Sequence, residues 1–350
     1  MNGGAGRILV AGGTGRLGSL LVKGFAADGV PVRVLTRNRD AAATLRAGGI
    51  DAVVGDLRNP TDLAGAVSGC GTVISAASGF GPMGASTPQS VDRDGNMNLI
   101  DAAVREGIRH FILVSMHGAA SDAALELLRM KHAAEQHLIH SGLPSTIIRP
   151  TACLETYLDV IGAPMARNGS TLVFGSGTVP VNFVSAQDTA SLIRLVVQGG
   201  AEQGVREIEW GGPNLTLNEI SAELHACAGV AGKTRRIPLP ALRLMSLAAR
   251  PFSPLMARLA RAAVVMNTTD MTFDDGPCRA LFPQLPRTGL ADAAALRRHP
   301  CWVWRSAPKF HGEGGKSPHS TPLRGPPTDD GTGLNARNPA AGPLHPGAAR

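Results

Sequence analysis

A strand, a glycine-rich turn and a helix follow one another without interruption between residues 7 and 29, and this order constrains the fold more than any other feature. Residues 8–10, Ile-Leu-Val, form a continuous apolar run that is typical of a strand buried on both faces of a parallel sheet. Gly12, Gly15 and Gly18 follow with the spacing G-x-x-G-x-x-G. Glycines at such a turn let the backbone approach a phosphate and let the next helix pack against its strand. The stretch therefore predicts a dinucleotide-binding unit.

The same run satisfies a second version of this fingerprint, because Gly13, Gly15 and Gly18 are spaced G-x-G-x-x-G. After these glycines, apolar residues recur along the chain at helical spacing. The N-terminus of that helix, with unpaired N–H groups and roughly +0.5 of a charge, would face the phosphates. Taken without its surroundings, the glycine pattern has an alternative interpretation, an ordinary glycine-rich turn that binds no dinucleotide. The residues predicted to bind the pyrophosphate are Gly12, Thr14, Gly15, Arg16, Leu17 and Gly18.

Length and composition narrow the class of protein. A chain of 350 residues can bury one large core or two modest ones. The formal net charge of +7 is interpreted as spread along the chain, which favours solubility over nucleic-acid binding. The five cysteines are odd in number and include no C-x-x-C pair, so we expect a reduced environment and no metal site. No charged leader and no apolar run of about 18 residues occurs, so we expect a cytoplasmic protein without a membrane span.

Strand and helix patterns alternate through the first 150 residues. The patterns predict six strands, at 8–10, 32–35, 52–54, 72–76, 111–115 and 145–149. Helices are predicted between them, among them 40–47, 61–67, 90–106 and 121–141. This alternation indicates an α/β fold with a doubly wound parallel sheet. In such sheets ligands bind beyond the carboxyl ends of the strands, where the strand order reverses.

The alternation loosens after Pro150. Later elements are predicted at 179–184, 186–197, 205–209 and 217–227. We expect a dinucleotide-binding Rossmann domain over residues 1–230, in which the irregular segment 154–177 belongs to a smaller substrate lobe. A C-terminal helical part of that lobe is expected over 231–305. Residues 306–350 are rich in Pro and Gly and nearly free of large apolar side chains, so a disordered tail is expected there.

One later segment, residues 239–267, is both apolar and basic. Arg243, Arg250, Arg258 and Arg261 lie on predicted helices that are interrupted at Pro251 and Pro254. The pattern favours a packed amphipathic helix pair with solvated arginines. A membrane-surface or lid role is the alternative.

The end of the second predicted strand indicates which cofactor is bound. An NAD enzyme usually places an acidic residue there to accept hydrogen bonds from the ribose 2′-hydroxyl. Here the strand ends in Thr36 and Arg37, and the first acid is Asp40. A guanidinium can pair with a 2′-phosphate, and Arg16 in the glycine turn could assist. The sequence therefore predicts NADP(H) as the cofactor. The alternative is that Arg37 is only a solvated charge in a loop.

Two further turns are candidates for cofactor contacts. Asp56 and Leu57 follow the third strand, where an adenine ring would donate a hydrogen bond from its amine to Asp56 and pack against Leu57. The alternative is that Asp56 caps the next turn. Ala76 and Ala77 follow the fourth strand and are small enough for the backbone to approach the ribose.

The candidates for catalysis are few, because the chain contains a single tyrosine, Tyr157, and no Y-x-x-x-K pair. Leu127 stands four residues before Lys131, where such a tyrosine would lie. We expect Lys131 to bind the nicotinamide ribose and to donate or relay a proton, and Ser115 to orient a small-molecule substrate. The alternative for Lys131 is a surface ion pair with Glu135. His117, His132 and Cys153 are weaker candidates.

The motifs taken together resemble the NmrA-like branch of the atypical short-chain dehydrogenase/reductases. They are GGTGRLG at 12–18, VRVLTR at 32–37, GDL at 55–57, HFILVS at 110–115, KHAAEQHL at 131–138 and STIIRPT at 145–151. The resemblance implies a Rossmann domain that binds NADP(H), with a small lobe over the nicotinamide. It also implies either a reductase in which Lys131 is catalytic or a non-catalytic redox sensor or assembly factor, and it leaves the oligomeric state open.

Overall fold

The computed structural model describes residues 6–81, 86–200 and 203–296, all within one unit, Met1–Ser306. The expected disordered tail, 306–350, lies outside the described residues. The expected domain boundaries stay predictions.

Twelve strands form within the described ranges. They are β1 (Arg7–Ala11), β2 (Val32–Thr36), β3 (Asp51–Val54), β4 (Cys70–Ser75), β5 (His110–Val114), β6 (Ser145–Pro150), β7 (Ala152–Cys153), β8 (Thr171–Phe174), β9 (Val181–Val184), β10 (Val205–Trp210), β11 (Asn214–Leu215) and β12 (Thr234–Ile237).

Helices connect most of these strands. They are α1 (Arg16–Ala27), α2 (Arg39–Ala47), α3 (Leu63–Val67), α4 (Asn96–Glu106), α5 (Glu126–His140), α6 (Leu154–Gly162), α7 (Met165–Asn168), α8 (Ala186–Gly199), α9 (Leu217–Ala228), α10 (Leu239–Ala248), α11 (Pro254–Thr268), α12 (Gly276–Leu281) and α13 (Leu290–Leu296). A 3₁₀ turn, Pro60–Asp62, precedes α3, and a π-helix, Pro88–Gly95, precedes α4.

Seven parallel strands make the main sheet, in the order β10-β6-β5-β4-β1-β2-β3. The order reverses between β1 and β4, which are neighbours although β2 and β3 separate them along the chain. The predicted α/β fold with a doubly wound parallel sheet is confirmed. The carboxyl ends of β1 and β4 therefore mark the edge where a ligand is expected.

Both faces of this sheet are buried. Ile8 and Val10 face a cluster shared with α1 and α8, whereas Leu9 faces the opposite cluster, shared with α3, α4 and α5. Successive side chains of a strand point to opposite faces, so an uninterrupted apolar run is what two covered faces require. The sequence pattern of β1 is thus explained.

Three predicted elements differ from the structure. The main sheet has a seventh strand, β10, which pairs in parallel with β6 and was expected only as a later addition. The helix predicted at 121–141 begins at Glu126, because Leu125 is extended. The helix predicted at 90–106 is an α-helix only from Asn96, since the preceding turns are π-helical.

A second group of elements lies beyond β6. β7, β9 and β11 form a three-stranded sheet, and β8 pairs with β12. Their common core includes Leu154 and Leu158 from α6 and Leu217 and Ile220 from α9. We call this group of elements the lobe.

Asn182 in β9 joins several segments of the lobe through its buried side chain. Its amide oxygen accepts from the Thr151 hydroxyl at 2.8 Å and from the backbone N–H of Gly212 at 3.0 Å. Its amide nitrogen donates to the carbonyl oxygens of Gly212, at 2.7 Å, and Phe273, at 3.2 Å, and to the side chain of Asn214. One side chain thus ties β9 to the turns around residues 212 and 273.

Asp188 joins α8 to the segment before α13. Its buried carboxylate accepts from the backbone N–H and the hydroxyl of Thr288, at 2.8 and 2.6 Å. Burial raises the pKa of Asp188, and the hydrogen bonds from Thr288 oppose that rise only in part.

Helices α10 and α11 pack against each other around Leu242, Ala263 and Val264, separated by the turn at 249–253. Pro254 is the first residue of α11, a position where its missing N–H costs nothing. Among the helices of the described ranges, none is long and apolar enough to cross a membrane.

Candidate functional site

The glycine turn lies at the carboxyl end of β1, against the end of β4. Gly12 has φ +80°, and a Cβ there would lie 2.8 Å from the carbonyl carbon of Ala76. At Gly18 a Cβ would lie 2.1 Å from the carbonyl oxygen of Gly12. No other residue fits either position without moving backbone. These two glycines bring β1, β4 and α1 together at the point where the strand order reverses.

Gly15 precedes α1 and supplies no capping side chain. Its N–H donates to the carbonyl of Gly12 at 2.9 Å, which closes the turn. A Cβ at Gly15 would be 3.2 Å from the same oxygen, whereas one at Gly13 would meet only side chains, the nearest being Val34. The version of the fingerprint that starts at Gly12 therefore matches the backbone constraints better. α1 thus begins without a capping side chain, as helix N-termini that bind phosphate can.

Arg37 extends from the end of β2 and is exposed. Its guanidinium donates to the hydroxyl of Ser86 at 2.8 Å, and Ser86 is buried. Thr36, also buried, accepts a hydrogen bond from the backbone N–H of Asn38, which caps α2. A cation is thus held beyond β2, on the edge of the sheet that also carries the glycine turn.

Asp56 forms an ion pair with Arg58, 2.6 Å between Oδ2 and Nη2. This hydrogen bond with Arg58 lowers the pKa of Asp56, and burial opposes it. The carboxylate also accepts from the backbone N–H of Arg58 at 3.0 Å, so it caps the local turn as the alternative interpretation held. Leu57 is buried and packs in the same core cluster as Leu35.

Ala76 and Ala77 lie just beyond β4 and are partly buried. The N–H of Ala76 donates to the carbonyl of Ala11 at 2.9 Å, which extends the pairing of β4 with β1. The peptide group between the two alanines faces Gly12, so the backbone after β4 lies against the glycine turn.

Lys131 is buried in α5, with 7% of its surface exposed. Its Nζ lies 3.2 Å from Oδ1 of Asp92 and donates to the carbonyl oxygen of Val114 at 2.9 Å. The ammonium group therefore lies at the carboxyl end of β5. The alternative of a surface pair with Glu135 is wrong, because the buried Glu135 carboxylate is held by Arg149 at 3.0 and 2.8 Å.

Asp92, the buried partner of Lys131, was not expected from the sequence. It lies in the π-helix, and its Oδ2 accepts from the backbone N–H of Gly79 at 2.8 Å. Asn96, one turn later, donates to the carbonyl of Asp92 at 2.9 Å and pairs with Ser75 at the end of β4. A π-helical turn shifts side chains relative to α-helical spacing, so an α-helical interpretation gave no indication of this pairing.

Ser115 follows β5 directly and is buried. Its N–H donates to the carbonyl of Ile148 at 2.8 Å, but its hydroxyl has no hydrogen-bond partner within the part of the chain that the structure describes. Buried hydroxyl groups are nearly always hydrogen-bonded, so the unsatisfied one of Ser115, directly after the Val114 carbonyl that binds Lys131, is a candidate to bind a ligand group.

The other candidates have different surroundings. Nδ1 of His117 lies 2.7 Å from Glu209, and its ring contacts Phe273 at 4.8 Å between centroids. Burial, and to a smaller extent the charge of the nearby Glu155, raises the pKa of Cys153 to about 11, which disfavours the thiolate form at neutral pH. Burial also raises the pKa of Tyr157 to about 12, and its hydroxyl contacts Met266 in the lobe core. The structure does not bring these residues together with Lys131.

Arg16 is engaged with the lobe. Its Nη2 lies 2.5 Å from Oδ2 of Asp159 in α6.

Within the described ranges, no group of three or more His, Cys, Asp or Glu side chains could hold a metal ion.

Residues 12–193 match the family model described as NAD(P)H-binding, which covers just over half of the chain. The chain therefore belongs to this NAD(P)H-binding family, and the predicted place among the NmrA-like, atypical short-chain dehydrogenase/reductases is confirmed. The predicted nicotinamide cofactor is confirmed with it. The glycine turn and the uncapped start of α1 fit such a dinucleotide.

The similar proteins have different roles. The chain is 28% identical to photosystem II assembly factor Ycf39 of Trieres chinensis, over 68% of this chain and 74% of that protein. It is 29% identical to the NAD(P)H azoreductase of Xenophilus azovorans, over 63% and 74%. The crystal structure of the quinone oxidoreductase QOR2 from Escherichia coli, complexed with NADPH, superposes with a TM-score of 0.66 at 22% identity, covering 83% of this chain and 99% of that one.

Proposed function

We propose that the protein is an NADPH-dependent reductase that transfers hydride to a small, largely apolar acceptor of the carbonyl, quinone or enone type. The observation that carries this proposal is the buried ammonium group of Lys131, which donates to the carbonyl of Val114, directly before Ser115 with its unsatisfied hydroxyl. Both lie at the carboxyl end of β5, on the edge of the sheet that carries the glycine turn. A cation and a hydroxyl at that place can orient an acceptor and supply it with a proton.

The preference for NADPH rests on Arg37. No acidic side chain ends β2, and the guanidinium held by Ser86 is placed to pair with a 2′-phosphate. QOR2 of Escherichia coli, whose fold is similar, binds NADPH in its crystal structure, which supports the same choice. Gly12, Thr14, Gly15, Leu17 and Gly18 would then cradle the pyrophosphate. Thr36, Asp56, Leu57, Ala76 and Ala77 would line the adenosine side.

Lys131, Asp92 and Ser115 have different roles in this proposal. When bound, the cofactor supplies a hydride. Lys131 forms an ion pair with Asp92 and donates a hydrogen bond to the carbonyl of Val114, so its ammonium group keeps an N–H to donate to a ribose hydroxyl or toward an acceptor oxygen. The ion pair with Asp92 fixes the position of the Lys131 Nζ. Ser115 can donate its hydroxyl hydrogen to the acceptor, which would satisfy a group that is otherwise buried without a partner.

The test measures NADPH oxidation against quinones, aldehydes, enones and an azo dye. We expect Lys131→Met to lower kcat by about 100-fold or more, the range of general acid catalysis. The control Lys23→Met alters an exposed lysine on α1 and should leave kcat unchanged. Since Lys131→Met leaves Asp92 unpaired, the double variant Lys131→Met/Asp92→Asn is measured too. Full turnover by a folded double variant would contradict the assignment of Lys131.

The cofactor preference is tested by calorimetry. Arg37→Ala should weaken NADPH binding by about 10-fold to 150-fold, the equivalent of a charged hydrogen bond of about 1.5–3 kcal/mol, and should change NADH binding little. Arg105→Ala, an exposed arginine on α4, is the matched control. Equal affinity of the unaltered chain for NADH and NADPH would contradict the preference.

A second function is a non-catalytic NADP(H)-binding assembly factor or redox sensor. It is supported by the 28% sequence identity with Ycf39 of Trieres chinensis and by Leu127, a buried leucine at the position where the tyrosine of a Y-x-x-x-K pair would lie. Tight NADPH binding without turnover of any acceptor in the panel would favour this function over the reductase.

A further inference from the structure

The turn between α10 and α11 exposes large apolar side chains. Phe252 in the turn is 90% exposed, and Leu244 and Leu247 on α10 are 68% and 61% exposed. We call these three residues the apolar tip. Leu244 and Leu247 lie opposite the buried Leu242 and Ser246, so they are not part of the packing between the two helices. Apolar side chains gathered on one surface mark a contact with something apolar.

The stretch of sequence that contains this tip carries formal charge of one sign only. Residues 224–269 contain seven basic residues, namely Lys233, Arg235, Arg236, Arg243, Arg250, Arg258 and Arg261, and no Asp or Glu. The chain's positive charge is therefore not evenly spread, contrary to the interpretation from composition. Arg243 and Arg250 are exposed and lie within one turn of Leu244 and Leu247. Whatever covers the apolar tip must accept cations at its margin.

We propose that the apolar tip docks peripherally on an anionic lipid bilayer, with Phe252 and the two leucines in the acyl boundary and Arg243 and Arg250 at the headgroups. Interfacial helices combine these two features, an apolar edge and a basic margin. A second copy of the chain is a poor occupant, because two surfaces of the same positive charge repel. A nucleic acid would use the arginines but would leave Leu244 and Leu247 in water. This inference does not depend on the proposed function.

The experiment is flotation of the full chain with vesicles of phosphatidylcholine alone or mixed with phosphatidylglycerol. We expect binding to the mixed vesicles, at least tenfold weaker binding to the neutral ones, and release as the salt concentration rises. Phe252→Ser/Leu247→Ser should abolish flotation, and Arg243→Glu/Arg250→Glu should reduce it by at least tenfold.

Matched control variants distinguish binding by the apolar tip from non-specific binding and from misfolding. Leu281→Ser removes a leucine that is 70% exposed on α12, and Arg105→Glu reverses an exposed charge on α4, so both should float like the unaltered chain. All variants should keep their thermal unfolding midpoint, because the altered side chains are exposed. Equal loss in the control variants, or no flotation of the unaltered chain, would overturn the proposal.

Tryptophan fluorescence measures how deeply the apolar tip enters the bilayer. Phe252→Trp should shift its fluorescence to shorter wavelength on the mixed vesicles and be quenched by brominated acyl chains. Without lipid, light scattering should show that the chain does not self-associate through Phe252, so Phe252→Ser should leave the scattering unchanged. If such self-association is found, or if the tryptophan is not quenched, the tip is not a membrane-docking surface.

Discussion

The glycine turn after β1 and the cluster around Asn182 in the lobe both hold segments of backbone together, but they use hydrogen-bonding groups in opposite ways. In the turn, missing side chains allow β1, β4 and α1 to meet, and α1 begins without a capping side chain, so its first turn can face a phosphate. In the lobe, one buried amide uses its donors and acceptor inside the protein. The first arrangement is prepared for binding, whereas the second is structural.

The largest effect that would test this comparison is expected from Gly18→Ala. The new Cβ would lie 2.1 Å from the Gly12 carbonyl oxygen, so α1 must move away from the turn. We expect NADPH binding to weaken by at least about 100-fold, equivalent to about 3 kcal/mol, as measured by calorimetry. The free energy of unfolding should fall by about 1–3 kcal/mol, as for other overpacked sites.

Gly65→Ala is the matched control for that variant. Gly65 lies in α3 and is exposed, and a Cβ added to it would meet no atom within 4 Å. An alanine there should leave NADPH binding unchanged and stabilise the protein by about 0.5–1 kcal/mol through helix propensity. If Gly18→Ala bound NADPH as well as Gly65→Ala did, the turn would not be the cofactor cradle.

An intermediate effect is expected from Asn182→Ala, which should act on stability alone. Removing the amide leaves buried groups of Thr151 and Gly212 without partners, so the free energy of unfolding in urea should fall by about 2–4 kcal/mol. Asn214→Ala, an exposed member of the same cluster, should cost less than about 1 kcal/mol. A large change in NADPH affinity of folded Asn182→Ala would remove the distinction between the two regions.

The smallest effect concerns the pH dependence of stability. Because burial raises the pKa of Asp188, its ionisation disfavours the folded state. The unaltered chain should therefore lose stability relative to Asp188→Asn as the pH rises above the unfolded pKa of about 3.9, until the raised pKa is passed. Urea unfolding of both proteins at pH 4 and pH 7 measures the difference, since the other carboxyl groups are common to both. A pH-independent difference would contradict the prediction.

Much of the main sheet could be predicted from the sequence, because buried parallel strands are continuous apolar runs and glycines mark the turns between them. The strands at 8–10 and 32–35 lie within the observed β1 and β2. The glycine turn was predicted as a cradle because its constraint is steric and local. Gly12 and Gly18 are recognised from their spacing alone, although the backbone of Ala76, distant in sequence, also limits the space at Gly12.

The partners of the candidate site could not be predicted in the same way. Lys131 was expected as a site residue, but its nearest partner along the helix, Glu135, is held by Arg149 instead. Asp92 lies 39 positions earlier and reaches Lys131 through a π-helix that the apolar pattern did not reveal. Likewise Asn182 has partners in distant turns. Contacts that depend on tertiary packing leave no periodic signal in the sequence.

The ion pair between Arg16 and Asp159 has a thermodynamic consequence. It joins the first turn of α1 to α6, an element of the lobe core, so the free energy of α6 and that of the glycine turn are not independent. Any ligand that displaces α6 would alter the affinity of the turn for a dinucleotide. Reciprocity requires the dinucleotide to alter the affinity for that ligand by the same factor, so occupancy of one part of the protein would be sensed by the other.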